Sequence, residues 1–339
     1  MKYILIIILQ VVVLSCSNSN KPVQEQELLH KTISEEIFIG RGGIMTLLSD
    51  SIIVGIDDNT EKCFFRLNNN LSNLSICNFG NKGQGPDDFI FPSSIQRINE
   101  NTMGCYDAAL NKYSEIELSG DCIFKTKNKI NFSELNFRVI KIKQGKYIGL
   151  GLYSESMFML FDSVGTAIKS FFEYPYKDKD EKSIENRLRA MAYQGFIAAN
   201  PDKTKFIYTT DRGNIIHFYD IVNDTVKIIK KIENSYPNYV TEVNDHGFSA
   251  PLKKSNKTCY VCAFTTGKYV YLLYSGKTFA EASLNAFNGE TIFVYDWTGE
   301  LKSACHLDIP CSYFCVSSDY KRLWAIANDP DPKIVYFDF

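Results

Sequence analysis

Six side chains in predicted loops are of types that could bind a ligand or exchange protons. They are three carboxylates, two cations and one imidazole: Asp57, Asp107, Asp211, Arg212, Lys277 and His246. Two carboxyl groups held about 5 to 9.5 Å apart can hydrolyse a glycosidic bond. Loop carboxylates are more often solvated turn residues, and their separation depends on the fold. We therefore treat all six as binding candidates and assign no catalytic residue.

The glycine-rich segments do not have the form of a phosphate-binding loop. Gly80, Gly83 and Gly85 lack both a Gly-Lys-Ser/Thr ending and a following helix. Gly276-Lys277-Thr278 has the ending, but Tyr271 stands where the earlier glycine is needed. The chain has no Gly-x-Ser-x-Gly elbow, no His-Glu-x-x-His pair and no calcium-loop spacing. We therefore expect no nucleotide, metal or other cofactor.

The N-terminus has the form of a secretory signal that ends at a cysteine. Met1-Lys2 precede an apolar run from Tyr3 to Leu14, interrupted only by Gln10. A run this short is typical of a signal peptide rather than a membrane span. Val13-Leu14-Ser15-Cys16 resembles a bacterial lipobox, which predicts a signal over residues 1–15, a diacylated Cys16 and a polar tether over residues 16–27. The alternative is an ordinary signal peptide with a chance cysteine.

Nine of the ten cysteines follow Cys16, an odd number that leaves at least one free or paired between molecules. Most lie in apolar, strand-like runs, where a thiol behaves as a small buried hydrophobe. Cys259-x-x-Cys262 and Cys311-x-x-x-Cys315 suggest zinc, but residues three apart on an extended strand point to opposite faces. We therefore expect no zinc site. A disulfide among the nine remains an alternative.

The composition favours a β-rich domain that does not bind nucleic acid. Hydrophobic residues make up 45% and aromatic residues 14% of the chain, and aromatic residues favour strands. The formal net charge of −2 lacks the basic surplus of a nucleic-acid-binding protein.

Strand-like runs alternate with turn clusters and group into fours. Three such sets span residues 137–174, 190–232 and 258–307, and several third strands end in an aromatic residue followed by aspartate, as in Phe161-Asp162 and Tyr219-Asp220. Four-stranded units recurring every 45 to 60 residues or so are typical of propeller blades. Only residues 180–193 place apolar residues at helical spacing, which predicts a short surface helix. The alternatives for this segment are a bent strand or a disordered charged loop.

The two ends of the chain complement each other. The last set supplies three strands, over residues 311–317, 322–327 and 333–337, and the run 28–40 is a spare strand. If this strand is the outermost of the last blade, it closes the ring and pairs an exposed edge. We therefore predict an all-β, six-bladed β-propeller with four-stranded antiparallel blades over residues 28–339. The alternatives are a β-sandwich or two small β domains.

A glycine-rich segment carries a family resemblance. Gly80-Asn-Lys-Gly83-Gln-Gly85-Pro86-Asp87-Asp88-Phe89-Ile-Phe-Pro92 is similar to the Gly-x-Gly-Pro-Gly-Glu-Phe-type segment of TolB-like six-bladed propeller lipoproteins, and NHL-type propellers carry a related segment. The stretch 292–300 also resembles the penultimate blade of that family. The chain departs from the pattern at Asp87-Asp88, where Gly-Glu is commoner. The resemblance implies a cell-envelope propeller and transfers no catalytic residue.

The predicted topology gathers the longest connections on one side. In a propeller, the loops between the second and third strands of a blade share a face with the connections between blades. The predicted connections 80–92, 174–187, 233–257 and 275–290 therefore lie on one face, which we call the long-loop face. Long loops on a rigid scaffold are where binding usually occurs.

These inferences predict an envelope-anchored lipoprotein whose non-catalytic propeller binds a protein or glycan partner through the long-loop face. The alternative is a propeller enzyme, such as a glycan lyase, glycosidase or lactonase, with its site at the central channel. No acidic run follows Cys16, which favours an outer-membrane location facing the periplasm.

Overall fold

The computed structural model describes residues 23–33, 40, 42–57, 61–71, 74–120, 122–244, 247–328 and 331–339. Two short strands open this part of the chain, and three four-stranded antiparallel sheets follow. The strands are β1 (Gln24–Leu28), β2 (Lys31–Thr32), then blade 1 with β3 (Gly42–Ser49), β4 (Ile52–Asp57), β5 (Lys62–Asn68) and β6 (Ser75–Asn81), blade 2 with β7 (Pro92–Asn99), β8 (Thr102–Asp107), β9 (Lys112–Ser119) and β10 (Ile123–Asn131), and blade 3 with β11 (Asn136–Lys141), β12 (Tyr147–Gly151), β13 (Phe158–Phe161) and β14 (Ala167–Phe171).

The second half of the chain contains the three remaining blades and most of the helices. Its elements are α1 (Lys179–Lys182) and α2 (Asn186–Ala192), blade 4 with β15 (Gly195–Ala199), β16 (Lys205–Thr210), β17 (Ile215–Val222) and β18 (Thr225–Glu233), the hairpin β19 (Glu242–Asn244) and β20 (Gly247–Ser249), then β21 (Tyr260–Thr265), β22 (Tyr269–Tyr274), α3 (Phe279–Ala282), β23 (Gly289–Asp296), β24 (Leu301–Val316), β25 (Arg322–Asn328) and β26 (Pro332–Asp338). Short 3₁₀ helices cover Lys143–Gly145 and Ser283–Phe287.

Blades 5 and 6 share one continuous strand. The first half of the 16-residue β24 pairs with β23 as the outer strand of blade 5, and its second half pairs with β25 as the inner strand of blade 6. The two blades therefore form a single eight-stranded sheet beside four separate four-stranded sheets. The prediction of an all-β six-bladed propeller is confirmed.

The N-terminal strands close the ring. β2 pairs antiparallel with β26, through Lys31↔Tyr336 and Thr32↔Val335, and so completes blade 6 as predicted. β1 pairs parallel with the first half of β24 and adds a further strand to the edge of blade 5. Leu28, which is 2% exposed, packs into the core there. The polar segment predicted as a tether therefore ends before Gln24.

Burial is greatest in the second strand of the blades. Every residue of β8 is buried, whereas the innermost strand β7 is half open and the outer strand β10 is exposed or half-buried throughout. The second strands lie between neighbouring blades and are covered on both sides, but the innermost strands border the channel and the outer strands contact solvent. Most of the apolar core therefore lies between blades rather than in the channel.

The predicted surface helix is two helices, and the second is packed. α2 buries Leu188, Arg189 and Ala190, and Arg189 is 2% exposed. The inner strand of blade 4 accordingly begins at Gly195, not at the predicted residue 190. The small residues Ala190 and Ala192 allow the helix to lie close against the blade. In the part of the chain that the structure describes, no helix is long and apolar enough to cross a membrane.

One disulfide joins blades 1 and 2. Cys77 on the outer strand of blade 1 pairs with Cys122 beside the outer strand of blade 2, with Cα atoms 6.0 Å apart. The other seven described cysteines are free and buried: Cys63, Cys105, Cys259, Cys262, Cys305, Cys311 and Cys315. The disulfide that the sequence left as an alternative is therefore present.

Candidate binding face and channel mouth

The long-loop face carries the long connections, as the strand order predicted. It holds the connections 82–91, 172–194, 234–259 and 275–288, whereas the longest connection on the opposite face is 69–74. The two faces therefore differ strongly in how much surface their loops build.

The helical connection between blades 3 and 4 is a packed part of this face. The Asp178 carboxylate caps α1 by accepting from the Glu181 backbone N–H at 2.9 Å. The buried Glu181 carboxylate accepts from the Tyr193 hydroxyl at 2.9 Å. Arg189 donates to the Glu173 carboxylate at 2.6 Å. These bonds hold the connection together internally, and the Tyr174 hydroxyl ties it to blade 3 by donating to the Gly151 carbonyl at 3.0 Å. Its surface is therefore preformed.

The loop between the second and third strands of blade 5 is also ordered. Thr278 and Glu281 form a capping box at the start of α3. The Lys277 ammonium lies 2.7 Å from the Glu290 carboxylate. The Arg212 guanidinium lies over the Phe287 ring at 5.2 Å and donates to the Thr258 hydroxyl at 2.9 Å. The predicted candidate Lys277 therefore braces this loop from within blade 5, and Arg212 braces it from blade 4.

Exposed apolar side chains are concentrated on the long-loop face. Among the described residues, the large hydrophobic side chains exposed on its connections are Ile90, Phe91, Leu135, Val240, Val243, Leu252, Phe279, Leu284 and Phe287. The connections of the opposite face expose only Leu71, Val164 and Tyr320 in the same part of the chain. We call the first set the apolar rim.

The three candidate aspartates occupy corresponding positions, at the ends of the second strands of blades 1, 2 and 4. The buried Asp107 carboxylate accepts four backbone N–H groups, from Ile90 at 2.6 Å and from Phe91, Ala109 and Leu110 at 3.0 Å each. The buried Asp57 carboxylate accepts the Gly40 N–H at 3.0 Å. These two side chains hold the chain at the entry to their blades.

Asp211 is placed differently, because it lines the mouth of the central channel. The cavity there has a volume of about 260 Å³ on the long-loop face. Its wall includes Phe91, Ser93, Phe137, Arg138, Phe196, Asp211 and Tyr313. Burial raises the pKa of Asp211, and the charges of Arg212 and Arg138 oppose this effect without cancelling it. Asp211 is thus the candidate aspartate that the fold presents to a ligand-sized space.

Arg138 is a candidate residue that sequence reasoning missed. Its Nε donates to the Gly195 carbonyl at 2.6 Å, its Nη1 donates to the Ser93 carbonyl, and its guanidinium lies 4.4 Å from the centre of the Phe196 ring. Burial lowers its pKa, although arginine stays charged in proteins. Its one sequence signal is a cation placed between apolar residues in the inner strand, as Phe137-Arg138-Val139-Ile140.

The predicted lipidation residue Cys16 and the binding candidate His246 lie outside the described residues. The binding roles of all six candidates and the lipidation of Cys16 remain predictions.

The blade order, the shared strand and the ring closure define a six-bladed β-propeller with one elaborated face. The chain belongs to the TolB-like 6-blade propeller-like family, whose sequence model matches residues 24–319. The curated proteins contain no match to this chain.

Two solved structures are similar to the propeller. A Bacteroides fragilis protein described as exported superposes with a TM-score of 0.51 at 13% identity, over 93% of this chain and 98% of that one. The β-propeller domain of Cps50 (Swd1) from Myceliophthora thermophila gives a TM-score of 0.50 at 9% identity, over 91% of this chain and 99% of that one. At these identities the likeness concerns the fold alone.

Proposed function

We propose that the protein is an exported, lipid-anchored binding module whose long-loop face docks a protein partner in the bacterial envelope. The observation that carries this proposal is the apolar rim. Nine large apolar side chains are exposed on the connections of one face, against three on the other, among the described residues. Where such side chains lie together, as Phe279 and Phe287 do, the exposed apolar surface marks an interaction site, because leaving it in water costs free energy that a partner recovers.

The chemistry of the rim favours a protein partner. Phe91, Phe279 and Phe287 are 57%, 47% and 40% exposed, and aromatic side chains are enriched in the cores of protein interfaces. Phe279 and Phe287 have ring centroids 6.3 Å apart, so they present one apolar surface. The capped α3 and the Arg212 contact hold this surface in place, which reduces the ordering cost of binding.

Three observations support the envelope location. The N-terminal segment has the form of a signal that ends at Cys16. Disulfides such as Cys77–Cys122 persist in oxidising compartments outside the cytosol. A structure with the same fold belongs to a Bacteroides fragilis protein described as exported. We place the protein on the outer membrane, facing the periplasm.

The proposal is tested with the full, tagged chain in gently crosslinked membranes. Captured proteins are identified by mass spectrometry, and the enriched partner is then purified and titrated directly. The test variant replaces Phe279, Leu284 and Phe287 by serine. The matched control replaces three exposed apolar residues of the opposite face, Leu71, Val164 and Tyr320, by serine.

We expect the rim variant to bind the purified partner at least tenfold more weakly, since aromatic anchors commonly dominate interface energies. The control variant is expected to bind like the wild type. Equal loss in both variants, or no partner from folded and lipidated protein, would refute docking through this face.

A further inference from the structure

We infer that the channel mouth on the long-loop face binds a small organic carboxylate, with Arg138 as the group that recognises it. This inference goes beyond the docking of a protein on the rim and does not depend on it.

Arg138 is held by groups from the two neighbouring blades. It extends from blade 3, and its donors reach the Ser93 carbonyl of blade 2 and the Gly195 carbonyl of blade 4. The Phe196 ring stacks under the guanidinium. A guanidinium carries five N–H donors, and these bonds use two of them. The remaining donors are therefore fixed in direction before a ligand arrives.

Among the described residues, no carboxylate lies in direct contact with the positive charge of Arg138. Its hydrogen bonds to this part of the chain go to neutral carbonyl oxygens alone. Two other cations with little exposure have an acidic partner: Arg189 lies 2.6 Å from Glu173, and Lys141 pairs with Glu115. Arg138 is half-buried at the channel mouth, and removing a charge from water is costly unless the charge is paired. An arriving anion would supply the missing partner.

Asp211 lines the same cavity and acts on Arg138 through space, without a contact within 4.0 Å. Removing the charge of Asp211 should therefore strengthen the attraction for an anion. This gives the site an internal control, since the two charges influence the same ligand in opposite directions.

The cavity favours a small ligand with an apolar body. Its volume of about 260 Å³ lies just below the range of pockets for drug-sized molecules. Ile44, Phe137, Phe196 and Tyr313 contribute apolar surface to the wall. A planar carboxylate matches the fork geometry of a guanidinium, and an aromatic or aliphatic body would lie against the rings.

The experiment is an NMR titration of the full mature chain with phenylacetate, and with phenylacetamide as its neutral counterpart. We expect phenylacetate to bind and phenylacetamide to bind at least tenfold more weakly. Arg138→Gln should weaken phenylacetate binding at least tenfold, the loss expected for a charge-assisted hydrogen-bonded pair. Asp211→Asn should strengthen it several-fold. Arg97→Gln removes an exposed cation at the opposite channel mouth and should change nothing.

Circular dichroism reports whether Arg138→Gln folds. If that variant does not fold, the comparison of the two ligands and the Asp211→Asn variant still decide the question. Equal affinity for the two ligands, weaker binding in Asp211→Asn, or no phenylacetate binding to the wild type would overturn the inference.

Discussion

The Cys77–Cys122 disulfide should contribute a large part of the stability of blades 1 and 2. The two cysteines are 45 residues apart in sequence. Crosslinking a loop of that length lowers the entropy of the unfolded chain, which corresponds to about 4 kcal/mol at 25 °C in the chain-entropy treatment. Replacing both cysteines by alanine should lower the free energy of unfolding by about this amount.

The change can be measured as a shift in thermal unfolding. An unfolding entropy of about 2.1 cal/mol/K per residue over roughly 310 residues converts 4 kcal/mol into a fall of about 6 °C in Tm. Circular dichroism at 218 nm or so would follow the loss of the sheets in the wild type and in Cys77→Ala/Cys122→Ala. Urea titration at 25 °C would give the free energy directly.

Reductant supplies the matched control. Dithiothreitol should lower the Tm of the wild type toward that of the double variant, but it should leave the double variant unchanged. The seven remaining cysteines are buried and free, so they offer no other described bond to reduce. If mass spectrometry shows the disulfide formed and the double variant melts within about 1 °C of the wild type, the loop-entropy reasoning is refuted for this site.

Three further predictions concern single side chains. Asp107→Ala should lower the free energy of unfolding by about 3 to 5 kcal/mol, because the substitution leaves four backbone N–H groups without their acceptor. Urea titration would measure this loss, with the exposed substitution Glu100→Ala as the control. Burial lowers the pKa of His217 below 6.5 in the folded state, so the unfolded chain binds more protons and the free energy of unfolding should fall as the pH drops below about 6.5. In urea titrations from roughly pH 5 to 8, His217→Gln should flatten the dependence of this free energy on pH. An unchanged dependence would contradict the prediction. Cys16→Ala should release the protein from the membrane fraction and abolish incorporation of radiolabelled palmitate, whereas persistence of both would exclude Cys16 as the acylation site.

Much of the fold follows from local sequence patterns. The sequence pattern predicts strands at residues 205–210 and 269–274, and β16 and β22 have these bounds, because each is a largely buried run between turn residues. The start of β15 was misplaced because Ala190 and Ala192 fit a strand as well as they fit a packed helix. The sequence predicts two separate strands where the structure has the continuous β24, because Asp308 and Pro310 are typical of a strand end. Proline nevertheless tolerates extended backbone at a strand irregularity.

The candidate site was less predictable than the fold. The sequence marked Asp57, Asp107 and Asp211 as equivalent loop acids, but hydrogen bonding separates the first two from the third. Arg138 acquires its character only from Ser93, Phe196 and Gly195, which belong to other blades. Contacts between blades depend on closure of the whole ring, and no local pattern encodes them.

The strands β1 and β2 also decide where mechanical tension would enter the molecule. If the protein is anchored at its N-terminus as we propose, tension on the anchor enters the described chain through Val23 and β1. That load meets the five residue pairs of β1 with β24, and then the two pairs of β2 with β26, before it reaches blade 1. These seven pairs are therefore the first contacts that such a force would strain. Blades 1 and 6 also share an apolar core, so they would stay joined after the two N-terminal strands detached.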